Sequence, residues 1–151
     1  ELFVKLCTRV AKLQNADGFW HASLLDPASY PSPETSCTTF IVYALAYGIN
    51  EGLLDKDTFL PILVKGWNAQ VSAVDADGKL GYVQPIGADP KKVTRNMTEV
   101  YGVGAFLMGG CEIYKMALPP SRQTGRWTRP PCGRTEKYDC ISAPVTGSSY
   151  E

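Results

Sequence analysis

Histidine is almost missing from this chain: His21 is the single one in 151 residues. That excludes a metal centre built on several imidazoles. Cysteine is sparse and irregular. Cys7, Cys37, Cys111, Cys132 and Cys140 are odd in number and include no C-x-x-C pair, so the pattern suits buried or free thiols better than a disulfide framework or a zinc site. Net charge is missing too, formally +0, which leaves no electrostatic footprint for nucleic acid. No apolar run reaches the roughly 18 residues that a membrane-spanning helix needs. The chain opens on Glu1 rather than Met, with no charged-then-apolar leader, and reads as a segment of something longer. Neither a nucleic acid nor a membrane is expected as a partner. Asn96-Met97-Thr98 is a formal glycosylation sequon, which matters only in a secreted eukaryotic protein.

What is present suits a globular chain: 44% hydrophobic and 20% charged residues, with the length of about one domain. Composition changes near Leu118. Arg122, Arg126, Arg129 and Arg134 crowd into the last stretch with Pro119, Pro120, Pro130, Pro131 and Pro144. The expected division is a folded part over residues 1–117 and a Pro/Arg/Ser/Thr-rich tail over 118–151, disordered or a junction artefact.

Four segments before the tail carry a helical period. Glu1–Gln14 places Leu2, Leu6, Val10 and Leu13 on one face. Thr35–Glu51 aligns Phe40, Tyr43, Ala44 and Tyr47, with Gly52 as its stop. Lys56–Val74 carries the stripe Leu60, Leu63, Val64, Trp67 and Val71, with Asp55 as N-cap and Pro61 near its first turn. Thr98–Met116 aligns Val103, Phe106, Leu107, Cys111 and Tyr114. The connections repeat as well. Asp17-Gly18 and Asp77-Gly78 stand about 60 residues apart, each after a helix and each before an extended stretch, the self-similarity that marks repeated supersecondary units. Two helical hairpins with long loops at one end, over about 15–34 and 75–97, predict an all-α fold of the α/α toroid type, in which such loops line a pocket.

Those loops carry a resemblance. Asp17-Gly18-Phe19-Trp20-His21, Asp26-Pro27, Tyr30, Glu34-Thr35-Ser36-Cys37-Thr38 and Tyr43-Ala44-Leu45-Ala46-Tyr47-Gly48-Ile49 resemble glycoside hydrolase families 88 and 105. Trp67-Asn68-Ala69, Asp77-Gly78-Lys79-Leu80-Gly81-Tyr82-Val83-Gln84-Pro85 and Thr98-Glu99-Val100-Tyr101-Gly102-Val103-Gly104-Ala105-Phe106-Leu107 look like later blocks of the same families. The resemblance implies part of a six-hairpin α/α barrel, with about two hairpins present and the remainder of the barrel missing. It implies hydration of the 4,5 double bond of unsaturated uronyl oligosaccharides, made by pectin or glycosaminoglycan lyases. An Asp acts as proton donor, and no metal or organic cofactor takes part. That Asp lies in the amino-terminal half of the family pattern. No position here matches it, so no catalytic residue is assigned and the chain alone is expected to be inactive.

The substrate-binding candidates are Trp20, His21, Glu34, Ser36, Thr38, Glu99 and Gly102. An indole can stack on a sugar, and an imidazole can donate to a hydroxyl or accept from one; His21 is also readable as a structural histidine. Glu34-Thr35-Ser36 reads equally as a helix start and as a wall of the pocket. The family usually has Gly where Cys37 stands. Glu99, Gly102 and Gly104 open a helix whose amides could receive an anionic uronate, or whose glycines could permit tight packing. Trp67 reads as core, Asp26 as a turn residue, and Asp17 and Asp77 as turn formers. An alternative is a non-catalytic helical module that binds carbohydrate or protein, or an inactive fragment. Nothing in the residues fixes the compartment; a bacterial cytoplasm or periplasm is the expectation.

Overall fold

The structure, a computed structural model, describes residues 1–118. The tail expectation therefore lies, apart from Leu118, outside the described residues. Among the described residues there are four α-helices and no strand: α1 (Leu2–Ala11), α2 (Thr35–Asn50), α3 (Lys56–Ser72) and α4 (Val100–Ala117). Short 3-10 turns at Pro27–Ser29 and Pro90–Lys92 interrupt the long loops. No described helix is long and apolar enough to cross a membrane.

Local chemistry sets the boundaries. The Asp55 carboxylate accepts from Thr58 N at 2.8 Å and caps α3, and Gly52 takes a left-handed φ of +67° just past α2, where glycine pays no Cβ penalty. Pro61 lies inside α3 rather than at its edge. The fourth helix begins after Thr98, with Glu99 as N-cap. The two Asp-Gly turns are the same turn twice. Asn15 N donates to Phe19 O at 3.0 Å and Gly18 N to Asn15 O at 3.0 Å; Asp75 N donates to Lys79 O at 2.9 Å and Gly78 N to Asp75 O at 3.0 Å. Gly18 and Gly78 sit at φ +92° and +81°. The repeat predicted from sequence thus holds at the level of individual hydrogen bonds.

α2 lies at the centre and packs against the other three helices, most closely against α4 and most lightly against α1. A Cβ on Gly109 would meet Val42 Cγ1 at 3.5 Å and Tyr43 N at 3.6 Å, so glycine brings the backbones of α2 and α4 together. The Asn50 side-chain amide, at the end of α2, donates to Glu112 O at 2.9 Å and to its carboxylate at 2.8 Å, near the end of α4. Thr35 N, at the start of α2, donates to Tyr82 O at 2.9 Å in the loop that leads to α4. The two helices therefore run the same way, and both long loops gather at their N-terminal end, as expected.

The buried faces match the expected ones only in part: Leu63 is buried, and Val10, Leu13, Leu60, Trp67, Val103 and Phe106 pack against the core. α2 buries Thr35, Thr38, Thr39, Val42, Leu45, Ala46 and Gly48, and α4 buries Gly102, Ala105, Gly109 and Glu112. Leu2 and Leu6 on α1, Phe40 and Tyr47 on α2, Val64 and Val71 on α3, and Leu107 and Tyr114 on α4 are exposed. The core gathers Cys7, Trp20, Val42, Leu45, Ala46, Leu54, Phe59 and Leu63, with a second cluster of Phe19, Ala69, Ala73, Leu80 and Val83 under the loops.

Candidate functional site

The N-terminal turn of α2 is where both loops meet. Glu34, buried, accepts from Ser36 N at 3.0 Å, Cys37 N at 2.7 Å and the Ser36 hydroxyl at 2.6 Å. Gln84 N from the second loop also points at it, at 3.4 Å. A carboxylate at a helix N-terminus satisfies amides that the helix leaves without partners. The Thr35 hydroxyl reaches across to donate to Gly81 O at 2.6 Å. Thr38, fully buried, donates to Glu34 O at 2.8 Å and accepts from Trp20 N at 3.1 Å, which ties the first loop to the same turn.

Tyr101, on the first turn of α4, donates its hydroxyl to Gln84 O. Burial holds its phenol above the ordinary value; a hydrogen bond with Ser36 pulls it down, and the Glu34 and Glu99 carboxylates push it up. Burial, with the Glu34 charge beside it, pushes the Cys37 thiol up to about 11. Tyr82 is the one non-glycine residue at positive φ among those described, at +55°. The backbone there is tight: a Cβ on Gly81 would lie 2.2 Å from Arg95 O, and the Arg95 guanidinium stands 5.9 Å from the Tyr82 ring centre.

His21 is buried. Its Nε2 lies 2.8 Å from Asp17 Oδ2, while Asp17 Oδ1 accepts from Phe19 N at 3.1 Å. Its Nδ1 is buried with no hydrogen-bond partner among the described residues, a state that calls for a partner. Asp17 thus does more than shape its turn. The equivalent turn lacks this pair, since Gly81 stands there where His21 stands here, and Asp75 accepts from Asp77 N and Lys79 N.

The other expected residues fall into two groups. Ser36 is partly accessible beside Glu34. Glu99 is half-buried, and its carboxylate makes no capping hydrogen bond. Trp20, expected to stack on a sugar, is enclosed: it is 0% exposed and its indole N–H donates to Val10 O at 2.8 Å. Gly66 makes room for it, since a Cβ there would lie 2.9 Å from the indole Cζ3. Both hydrogen-bonding roles of Thr38 are spent internally. Gly102 is covered by Val83, whose Cγ1 would be 2.7 Å from an added Cβ, so its smallness serves packing. Sequence reasoning missed Tyr101, Gln84 and Tyr82. Nothing in a tyrosine inside a helical period signals that its hydroxyl holds a loop carbonyl. Trp67, read as core, is partly buried and stacks on Phe106 with 5.3 Å between ring centres. Cys7, Cys37 and Cys111 are free thiols.

Comparison with known proteins agrees with this architecture. The family model described as Glycosyl Hydrolase Family 88 matches residues 1–117. An unsaturated 3S-rhamnoglycuronyl hydrolase from Formosa agariphila is 41% identical over 115 residues, which span 76% of this chain and 30% of that relative. The solved structure of a glycosyl hydrolase family 88 protein from Bacteroides vulgatus superposes with a TM-score of 0.68 at 42% identity, covering 72% of this chain and 32% of that one. A possible GH105 family member from Salmonella enterica shares the fold, with a TM-score of 0.64 at 20% identity over 74% of this chain and 30% of its own. The chain therefore spans less than a third of the length of its curated relative, and its four helices are a section of an α/α barrel.

Proposed function

Because the chain belongs to Glycosyl Hydrolase Family 88, we propose that it forms part of the substrate-binding wall of an enzyme that hydrates the 4,5 double bond of unsaturated uronyl oligosaccharides. The observation that carries this reading is the convergence of both long loops on the first turn of α2, where Thr38 holds the Trp20 backbone and Thr35 holds Gly81 and Tyr82. Loops fixed in this way can position polar side chains for a sugar ring. His21 is the foremost of these: Asp17 fixes its ring through Nε2 beside the meeting point of the loops. Ser36 and Glu99 complete the polar set. Glu34, Thr38 and Gly102 support it from behind, and Trp20 anchors the loop.

Hydration of a vinyl ether needs a positioned proton donor, and general-acid catalysis typically supplies 10²–10⁴-fold. Asp17 is engaged with His21 and Phe19 N, and Glu34 with three short hydrogen bonds. The donor is therefore assigned to the remainder of the barrel, and this chain alone binds without turning over. The reaction class fits the Formosa agariphila relative, whose name describes an unsaturated rhamnoglycuronyl hydrolase.

The test is an unsaturated uronyl disaccharide followed by the ultraviolet absorbance of its conjugated double bond. Residues 1–151 alone should leave the absorbance unchanged. In an enzyme that contains this segment in a whole barrel, His21→Ala should lower kcat/KM by roughly tenfold or more through lost positioning. Turnover by the isolated chain would place the acid within it and overturn the assignment. An enzyme indifferent to His21→Ala would remove the histidine from the site.

A further inference from the structure

The first turns of α2 and α4 hold two hydroxyls side by side, and each has already committed its proton. A hydroxyl has one proton to donate and two lone pairs with which to accept. Ser36 gives its proton to Glu34 Oε1 at 2.6 Å, and a carboxylate is the stronger kind of acceptor. Tyr101 gives its proton to Gln84 O. The Gln84 amide points back at Glu34 Oε1, at 3.4 Å, and the Ser36 and Tyr101 hydroxyls lie within hydrogen-bonding reach of each other. Glu34, Ser36, Tyr101 and Gln84 thus close a polar ring that joins α2, the second loop and α4.

Within that ring the protons run short. Ser36 and Tyr101 stand together, yet one proton goes to a carboxylate and the other to a backbone carbonyl. Only lone pairs remain between the two oxygens, and a donor from outside completes such a pair. Charge selects the donor. The Glu34 and Glu99 carboxylates both act on the Tyr101 hydroxyl, and their field opposes an anion at this point while favouring the positive end of an O–H dipole. Ser36 and Tyr101 are each partly accessible, whereas Thr38 beside them is fully buried with both of its roles spent.

We propose that Ser36 and Tyr101 together accept a hydrogen bond from one hydroxyl of the oligosaccharide. This part of the wall then reads a neutral sugar hydroxyl, and the uronate carboxylate is held elsewhere in the barrel. The assignment rests on the substrate class proposed above. Tyr101 becomes a binding residue as well as the clamp on Gln84.

The experiment uses an enzyme that holds this segment in a whole barrel, with its Tyr101→Phe and Ser36→Ala variants. The substrates are an unsaturated uronyl disaccharide and its monodeoxyfluoro analogues. Fluorine keeps an acceptor where the hydroxyl stood but has no proton to give. Each analogue is assayed with wild type and variant, so the ratio of the two kcat/KM values cancels the intrinsic effect of fluorine. Tyr101→Phe should lower kcat/KM about fivefold, the worth of one neutral hydrogen bond, for the parent and for every analogue but one. For that one, which lacks the donor, the loss should be clearly smaller. Ser36→Ala should single out the same analogue. A loosened second loop, by contrast, slows all substrates alike. The proposal is overturned by a ratio that is constant across the analogues, by different exceptions for the two variants, or by variants equal to wild type on the parent. Should Tyr101→Phe fail to fold, Ser36→Ala alone carries the comparison, and a constant ratio with it is decisive. A wild-type enzyme that leaves the disaccharide intact overturns instead the substrate class on which the pair is read, so the two failures are distinct.

Discussion

Gln70 sits fully buried on α3, with both side-chain amide atoms lacking a hydrogen-bond partner among the described residues. A buried polar group without a partner costs about 1–3 kcal/mol, so Gln70→Met should raise the free energy of unfolding by about that amount in urea titration. The opposite outcome would mean that the amide is satisfied by ordered water. Cys37 makes a second prediction at this scale. Its folded thiol is pushed up to about 11 by burial and Glu34, whereas an unperturbed thiol titrates near about 8.5. The folded state therefore keeps its proton longer than the unfolded chain. The associated stability is fully present below the unfolded value and is lost as pH rises from there through the folded one. Peptide-level mass spectrometry should find the exposed Cys111 alkylated at mildly alkaline pH while Cys37 stays unmodified. Sequence motifs marked this region but not each residue's task. Trp20 was legible as important, yet an indole that reaches Val10 O from inside the core has the same sequence as one that faces a sugar.

Element boundaries were far more legible than faces. Asp55, Gly52 and the twin Asp-Gly turns act through local backbone chemistry, and that chemistry is written in adjacent residues. The faces were read only in part because α2 and α4 bury small and hydroxyl-bearing side chains, Thr35, Thr38 and Thr39 on one and Gly102, Ala105 and Gly109 on the other. A hydrophobic period finds Phe40, Tyr47, Leu107 and Tyr114 instead, and these point the other way. Close approach is carried by what is absent from a side chain, which no hydropathy pattern records. Two glycines of one helix make the contrast measurable. Gly102→Ala drives a Cβ to 2.7 Å from Val83 and should destabilise by about 1–3 kcal/mol through overpacking. Gly104→Ala meets nothing within 4 Å and should stabilise α4 by up to about 1 kcal/mol through helix propensity. Thermal melts of the two variants should move in opposite directions.

At the scale of the whole molecule, the helices are not equal partners. α2 packs against each of the others, and α1 leans on it most lightly. α1 also leaves Leu2 and Leu6 in solvent and is the shortest of the four helices. Opening free energies within a protein range from near zero at fraying ends up to the global value in the core. The molecule should therefore come apart in a fixed order when followed by amide hydrogen exchange. Amides of α1 should exchange first, through a local opening that leaves the rest folded. Those of α2 should exchange last, and only when everything opens. Equal protection in α1 and α2 would contradict this order. A helix that every other element needs keeps time for the whole fold: its slowest amide is the clock against which the lifetime of the native state is read.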